Sequence, residues 1–327
     1  MTAAFAEWPD LAVRTLGGGV VAANDELFAA KENLVRTEPP THLPHTFGSK
    51  GQVYDGWETR RRREPGHDWA VVRLGVPGVV RGVVVDTSFF AGNFPPECSV
   101  EACRTDGYPS PDELRGWHTL VPRSALRGDA RNAFPVHAGG VVTHVRLTIH
   151  PDGGVARLRV HGEPVPDPRP FAHLPLDLAA AVNGGRVLAA SDRFHGRPEN
   201  LLLPGNAATM GDGWETARRR DDGNDWVQVT LGGRGEIGVV ELDTTHFVGN
   251  APAAAALRGR DGAGPWVGVL PRTRLQPDTP HRFVVVGTPR VTEVRLDVYP
   301  DGGLARLRCH GRLTPDAYEA LLRRWQR

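Results

Sequence analysis

Two segments concentrate residues able to grip charge or move protons. The first is DGWETRRRREPGHDW, Asp55 to Trp69, and DGWETARRRDDGNDW, Asp212 to Trp226, nearly repeats it. Arginine presents a planar fork that grips carboxylates and ureido-like groups through paired N–H donors. Four consecutive arginines, Arg60 to Arg63, repel one another unless carboxylates of the protein or of a ligand use their charge. His67 is the natural proton carrier near neutral pH, with Asp68 beside it to orient the ring. Neither Arg60 nor His67 is kept in the second segment, where Ala217 and Asn224 stand instead. A site confined to one copy therefore favours the first. The plainer reading makes His67 a surface histidine and Glu58 a carboxylate that neutralises the arginine run.

Two further blocks carry polar residues in both copies. Asp86-Thr87 precedes Phe90-Ala91-Gly92-Asn93, and Asp243-Thr244 precedes Phe247-Val248-Gly249-Asn250. A carboxylate ending a valine-rich strand either bonds its own loop or faces a ligand at the strand end. His150 and Tyr299 each lead into Pro-Asp-Gly-Gly, where turn chemistry alone accounts for Asp152 and Asp301. Arg157 and Arg306, kept after those turns, are not explained by the turn. No phosphate-binding loop, dinucleotide fingerprint, HExxH or GxSxG occurs, and Gly17-Gly18-Gly19 reads as a turn before a strand. Zinc-type ligand spacing is missing too, so no metal and no other cofactor is expected. The supply of Asp, Glu and His leaves a divalent ion as the alternative.

These residues must be positioned by a duplicated scaffold. GGGVVAANDELFAAKENLV (Gly17 to Val35) returns as GGRVLAASDRFHGRPENLL, and VTHVRLTIHPDGGVARLRVHG (Val142 to Gly162) returns as VTEVRLDVYPDGGLARLRCHG. The 327 residues thus divide into a first domain over 1–165, a proline-rich extended linker over 166–175 and a second domain over 176–327. Apolar residues alternate in Val145 to Ile149 and again at Leu158 and Val160, which predicts a hairpin turning at Pro-Asp-Gly-Gly. Trp69 to Leu74 and Val83 to Val85 are further strands. Many short strands with Gly/Pro turns predict an all-β antiparallel sandwich in each copy. Only the C-terminus predicts a helix, with Thr314 as cap and Tyr318, Leu321, Leu322 and Trp325 on one face. That face is offered as a contact for a sandwich or for a second copy in a homo-oligomer.

Composition narrows the function classes. With 39 Lys+Arg against 38 Asp+Glu, no basic excess exists to hold nucleic acid. No apolar run approaches the ~18 residues that cross a membrane, and the N-terminus does not read as a signal peptide. Cys98, Cys103 and Cys309 form no paired motif, which predicts a reducing, cytoplasmic setting.

Taken in order, AANDELFAAKENLV, DGWETRRRR, HDW, DTSFFAGNFP and HPDGGVARLR, each echoed in a second copy, closely resemble the allantoicase family. The resemblance spans about Asp10 to Gly311. It implies two jelly-roll domains of the galactose-binding-like type and hydrolysis of allantoate to ureidoglycolate and urea, a step of purine catabolism. For that substrate, Glu58 or His67 would move the protons, with Asp68 beside them. Arg61, Arg62 and Arg157 would bind the carboxylate and developing charge. Glu58, Asp68 and Asp86 can accept from ureido N–H groups, while Asn93, His150 and Asp152 would orient the substrate. Their second-copy equivalents are Glu215, Asp225, Asp243, Asn250, Asp301 and Arg306. The competing reading is a non-catalytic tandem carbohydrate-binding module on the same fold.

Overall fold

The computed structural model describes residues 4–49, 51–137 and 139–327. Two compact units follow one another, the first reaching Val165 and the second covering Pro166–Gln326. Strands of the first unit are β1 (Gly19–Ala23), β2 (Phe47–Gly48), β3 (Gly51–Gln52), β4 (Trp57–Glu58), β5 (Asp68–Asp86), β6 (Glu97–Cys103), β7 (His118–Ala125), β8 (Arg131–Pro135), β9 (Val142–His150), β10 (Gly154–Val155) and β11 (Arg157–Pro164). The second unit continues with β12 (Leu176–Asp177), β13 (Arg186–Ala190), β14 (Trp214–Glu215), β15 (Asp225–Asp243), β16 (Ala254–Arg260), β17 (Val267–Arg274), β18 (Pro280–Val284), β19 (Val291–Tyr299), β20 (Gly303–Leu304) and β21 (Arg306–Leu313), then helix α1 (Pro315–Gln326). The described residues are thus all-β apart from short 3₁₀ turns and one terminal helix.

The two strands expected at Trp69 to Leu74 and Val83 to Val85 are one 19-residue strand, β5. Its first half pairs antiparallel with β1 and β9, and its second half pairs with β11 and β8. The register breaks between Arg73 and Gly78, where Gly75-Val76-Pro77-Gly78 interrupts the ladder. Proline has no N–H to donate and glycine has no side chain to hold the pleat, so the strand changes layers there. One strand therefore serves a five-strand layer, β1-β5-β9-β6-β7, and a three-strand layer with β8 and β11. β15 repeats the device in the second unit, with its register break between Thr230 and Gly235. Alternating residues face the filling between layers, including fully buried Val72, Leu147, Leu158 and Val160 in one unit and Val229, Leu296 and Leu307 in the other.

Three expectations need correction. Val142–His150 and Arg157–Pro164 do not form a hairpin with each other; β9 pairs with β5 and β6, whereas β11 pairs with the far half of β5. Pro-Asp-Gly-Gly is a crossover between layers, and β10 within it pairs with β4 instead. Alternation identifies strands but not partners, so both topologies have the same pattern. The terminal helix forms over Pro315–Gln326, with the Tyr318 N–H donating to the Thr314 carbonyl at 2.9 Å. Its Trp325 is only 4% exposed, with the Arg169 guanidinium 5.7 Å from the ring centre, so that ring is not presented to a second copy. The proline-rich segment also departs from a plain extended linker: Arg169–Phe171 makes a 3₁₀ turn and Phe171 packs on the second core.

Candidate active site

Glu58 is the carboxylate that the fold sets at a cavity. It lies on β4, whose main chain pairs with Gly154 of the crossover. Neighbouring Trp57 is fully buried and its indole N–H donates to the Asp25 carbonyl at 2.8 Å, which anchors the strand. Asn93 Nδ2 donates to Glu58 Oε1 at 2.7 Å, and the Asn93 carbonyl accepts from Gly154 N at 2.8 Å. Only glycine can stand at 154, because a Cβ there would fall 2.0 Å from the buried Phe90 ring. A cavity of about 370 Å³ opens over this pair, lined by Phe28, Gln52, Tyr54, Glu58, Gly92 and Asn93. Burial pushes the Glu58 carboxyl above the ordinary glutamate range, and the Asn93 amide only partly offsets it. A half-desolvated carboxyl held by one amide keeps its proton to higher pH than an ordinary glutamate, as a proton-transferring group needs.

Gln52 and Tyr54 were not singled out in the sequence, although a signal existed. Nineteen residues separate Val35 from Asp55, but only nine separate Leu202 from Asp212. The longer segment forms the small β2–β3 ribbon and carries both side chains to the cavity, with Tyr54 stacked on Phe90 at 5.1 Å. Arg157 fixes the segment. Its guanidinium is 1% exposed, donating to the carbonyls of Glu38, Asp55 and Ala156 and to Asp55 Oδ2 at 2.9 Å. Four of its five N–H groups thereby serve the protein, which leaves little for a substrate carboxylate.

The other expected residues are dispersed. Asp68 is buried and accepts from Arg62 Nη1 at 2.7 Å and from Asn24 Nδ2 at 2.8 Å. It therefore holds the Arg62 side chain and not the His67 ring. Asp152 accepts the Arg62 main-chain N–H at 2.8 Å, and Asp86 accepts from the main chain and hydroxyl of Ser88. His67 is exposed, its ring 5.6 Å from that of His150, whose Nε2 is 3.3 Å from Ser99 Oγ. Burial, Arg123 and His67 together keep His150 below the ordinary imidazole range despite Glu97. Neither histidine lines the Glu58 cavity. Arg61 stands with Arg60, Arg62 and Arg63 around a separate cleft of about 570 Å³, also lined by Asn24, Asp25, Glu64 and Asp68. Arg60 is tied to Asp25 there.

The second unit repeats the frame. Asn250 Nδ2 donates to Glu215 Oε1 at 2.6 Å and also lies 3.2 Å from Met210 Sδ. Asp225 accepts from Arg219 and Ser191, Asp301 accepts the Arg219 N–H, and Asp243 accepts the Thr245 N–H. Arg306 is buried and donates to the carbonyls of Gly205, Asp212 and Ala305. The Asp225, Asp301, Asp243 and Arg306 contacts repeat those of Asp68, Asp152, Asp86 and Arg157, and the Glu215–Asn250 pair repeats Glu58–Asn93. Among the described residues no three His, Cys, Asp or Glu side chains gather to hold a metal ion, and no helix is long and apolar enough to cross a membrane.

The allantoicase repeat model matches residues 9–165 and 176–314. This chain belongs to the allantoicase family. A probable allantoicase of Nocardia farcinica is 60% identical, the match covering 94% of this chain and 95% of that one. A probable allantoicase of Streptomyces coelicolor is 51% identical over 98% and 90% of the two chains. The crystal structure of allantoicase from Saccharomyces cerevisiae superposes with a TM-score of 0.80 at 35% identity, covering 93% of this chain and 92% of its own. Family membership leaves the carbohydrate-binding reading unfavoured and makes the ligand a small molecule.

Proposed function

We propose that the chain hydrolyses allantoate to ureidoglycolate and urea, and that the Glu58–Asn93 cavity of the first unit is where it does so. One observation supports the placement above others: a carboxyl raised by burial lies at a cavity sized for a small molecule. The reaction breaks the bond between the central carbon and one ureido nitrogen. Water oxygen becomes bonded to that carbon, and the departing nitrogen takes a proton. Protonated Glu58 gives its proton to that nitrogen, and the resulting carboxylate accepts one from water. Asn93 holds the carboxyl in place, while Gln52 and Tyr54 supply an amide and a hydroxyl that match ureido N–H and C=O groups. Arg61, exposed three residues along the chain from Glu58, is the arginine we assign to the substrate carboxylate.

No step of this reading passes through a metal, and activity that is lost on chelation and restored by a divalent ion would overturn that part. Cytoplasmic residence and self-association are further proposals; three buried unpaired cysteines suit a reducing compartment, and sedimentation of the purified chain reads the second. The deciding experiment is urea release from allantoate by wild type, Glu58→Gln and Glu215→Gln. Loss confined to Glu58→Gln supports the placement, and loss confined to Glu215→Gln moves the site to the second unit.

A further inference from the structure

We infer that the first unit holds a seat for the carboxylate of a small ligand on the open fork of Arg62, and that the second unit shows the seat filled. The two guanidinium groups are held alike. Arg62 Nη1 donates to Asp68 Oδ1 at 2.7 Å, and its main-chain N–H donates to Asp152 Oδ2 at 2.8 Å. Arg219 makes the same bonds, to Asp225 Oδ1 at 2.9 Å and to Asp301 Oδ2 at 2.8 Å. A glycine backs each fork. A Cβ on Gly66 would fall 2.5 Å from Arg62 Nη2, and one on Gly223 would fall 2.6 Å from Arg219 Nη2.

The units differ at the remaining edge of the fork. Arg219 Nε and Nη2 grip Asp221 side by side, at 2.9 Å to Oδ1 and 2.9 Å to Oδ2, and Gly223 N donates to the same Oδ1 at 2.9 Å. One internal carboxylate thus takes three donors, two of them in the planar pairing that guanidinium favours. In the first unit the only other bond of Arg62 runs from Nη1 to the His67 carbonyl at 3.5 Å. Arg62 Nε, Arg62 Nη2 and Gly66 N have no hydrogen-bond partner among the described residues. The difference has a chemical cause. Asp221 reaches the N–H two residues on, a turn that the short aspartate side chain makes and glutamate does not. Glu64 stands at that position in the first unit, one methylene longer, exposed and without a hydrogen bond among the described residues.

The fork is therefore open where Arg62 lines the cleft of about 570 Å³. Its Nε is buried, so bulk water does not satisfy that N–H and a ligand oxygen can. Charge sets the sign of the ligand. Arg60, Arg61, Arg62 and Arg63 line the cleft against Asp25, Glu64 and Asp68, and two of those carboxylates are already bonded to Arg60 and Arg62. The matching stretch of the second unit carries three arginines against Asp192, Asp221, Asp222 and Asp225. A cleft with surplus positive charge and a planar pair of donors takes a small carboxylate. It shares no lining residue with the Glu58 cavity, so the seat does not rest on the proposed reaction, whose substrate and product both belong to this ligand class.

Arginine Nε–H signals read the seat directly, in full-length protein isotope-labelled at arginine nitrogen and assigned through the side chain. Titration with sodium acetate at neutral pH should move the Arg62 Nε–H saturably downfield, toward the position of Arg219, while Arg219 stays put. Acetamide, which has the shape without the charge, should move neither. Asp221→Ala should make Arg219 respond to acetate as Arg62 does. Glu64→Asp, which restores the turn to Gly66 N–H, should abolish the Arg62 response. Glu58→Gln should leave that response unchanged; its loss there would put the acetate in the Glu58 cavity and overturn the inference. An unmoved Arg62, or equal movement of Arg62 and Arg219 in the wild type, overturns it as well. So does a response to sodium chloride as large as that to acetate, which makes the cleft an unselective anion surface. The acetate, acetamide and chloride arms need no variant, so misfolding of any substituted chain leaves the test intact.

Discussion

Asp55→Ala should cost the first unit both stability and substrate affinity. Asp55 ties the long segment to β11: Oδ2 accepts from Arg157 Nη2 and from Thr41 N, both at 2.9 Å, and Oδ1 faces Arg36 at 3.4 Å. The Arg157–Asp55 side chains are 1% and 8% exposed, so removing the carboxylate strands a buried guanidinium, which costs roughly 3–5 kcal/mol. Arg157 keeps three main-chain acceptors, so the lower end, about 3 kcal/mol, is expected. The half-exposed Arg36 adds little. The matching Asp212 in the second unit instead caps a turn, accepting from Ala208 N and Thr209 N at 2.9 Å, and Asp212→Ala should cost only about 1 kcal/mol. Denaturant unfolding followed by tryptophan fluorescence measures both losses, and steady-state urea release measures KM. With Asp55 gone, Gln52 and Tyr54 lose their tether, so KM rises in Asp55→Ala and stays put in Asp212→Ala. The pH dependence has a definite sign. Burial alone would raise the Asp55 carboxyl, but the Arg157 hydrogen bond, the Thr41 N–H and the arginine charges outweigh it, and the net direction is down from 3.8. Its stabilisation is therefore full above the ordinary aspartate value and is lost as pH falls through the lower folded one. Equal losses in the two variants, or an unchanged KM in a destabilised Asp55→Ala, would refute the argument.

Glu58→Gln should lower kcat by roughly 10²–10⁴-fold, while Glu215→Gln keeps wild-type turnover; a urea-release assay on the pair decides it. If Glu58 acts as the acid, kcat falls as pH rises through its raised value, and Asn93→Ala, by removing the donor that favours the carboxylate, moves that limb to higher pH. A limb that stays or moves down counts against the role. The same shift makes Glu58 stabilising below the ordinary value of 4.5 and progressively less so as pH rises through the folded one. His67→Gln, at an exposed ring against His150, should leave kcat/KM within about twofold; a collapse of kcat would return His67 to the chemistry.

The sequence by itself determined the duplication, the all-β class, the terminal helix and the family. Each of these rests on local pattern: repeat order, period-two alternation and capping chemistry survive without knowledge of partners. It also pointed to Glu58 and Asn93, because both sit in blocks kept in the two copies. What it did not determine was which side chains meet. Arg157 looked like a ligand-binding charge, yet its acceptors lie 102 and 119 residues away, and only folding makes it a buried anchor. Asp68 follows His67 in the chain, but β5 begins at Asp68, whose side chain turns inward to Arg62, while His67 precedes the strand and stays exposed. Tertiary structure alone turned Pro-Asp-Gly-Gly into a crossover beside Glu58 and closed the long 36–54 segment over it. The first depends on strand pairing and the second on the Arg157 and Asp55 side-chain bonds, both between distant residues, for which a single sequence carries no periodic mark.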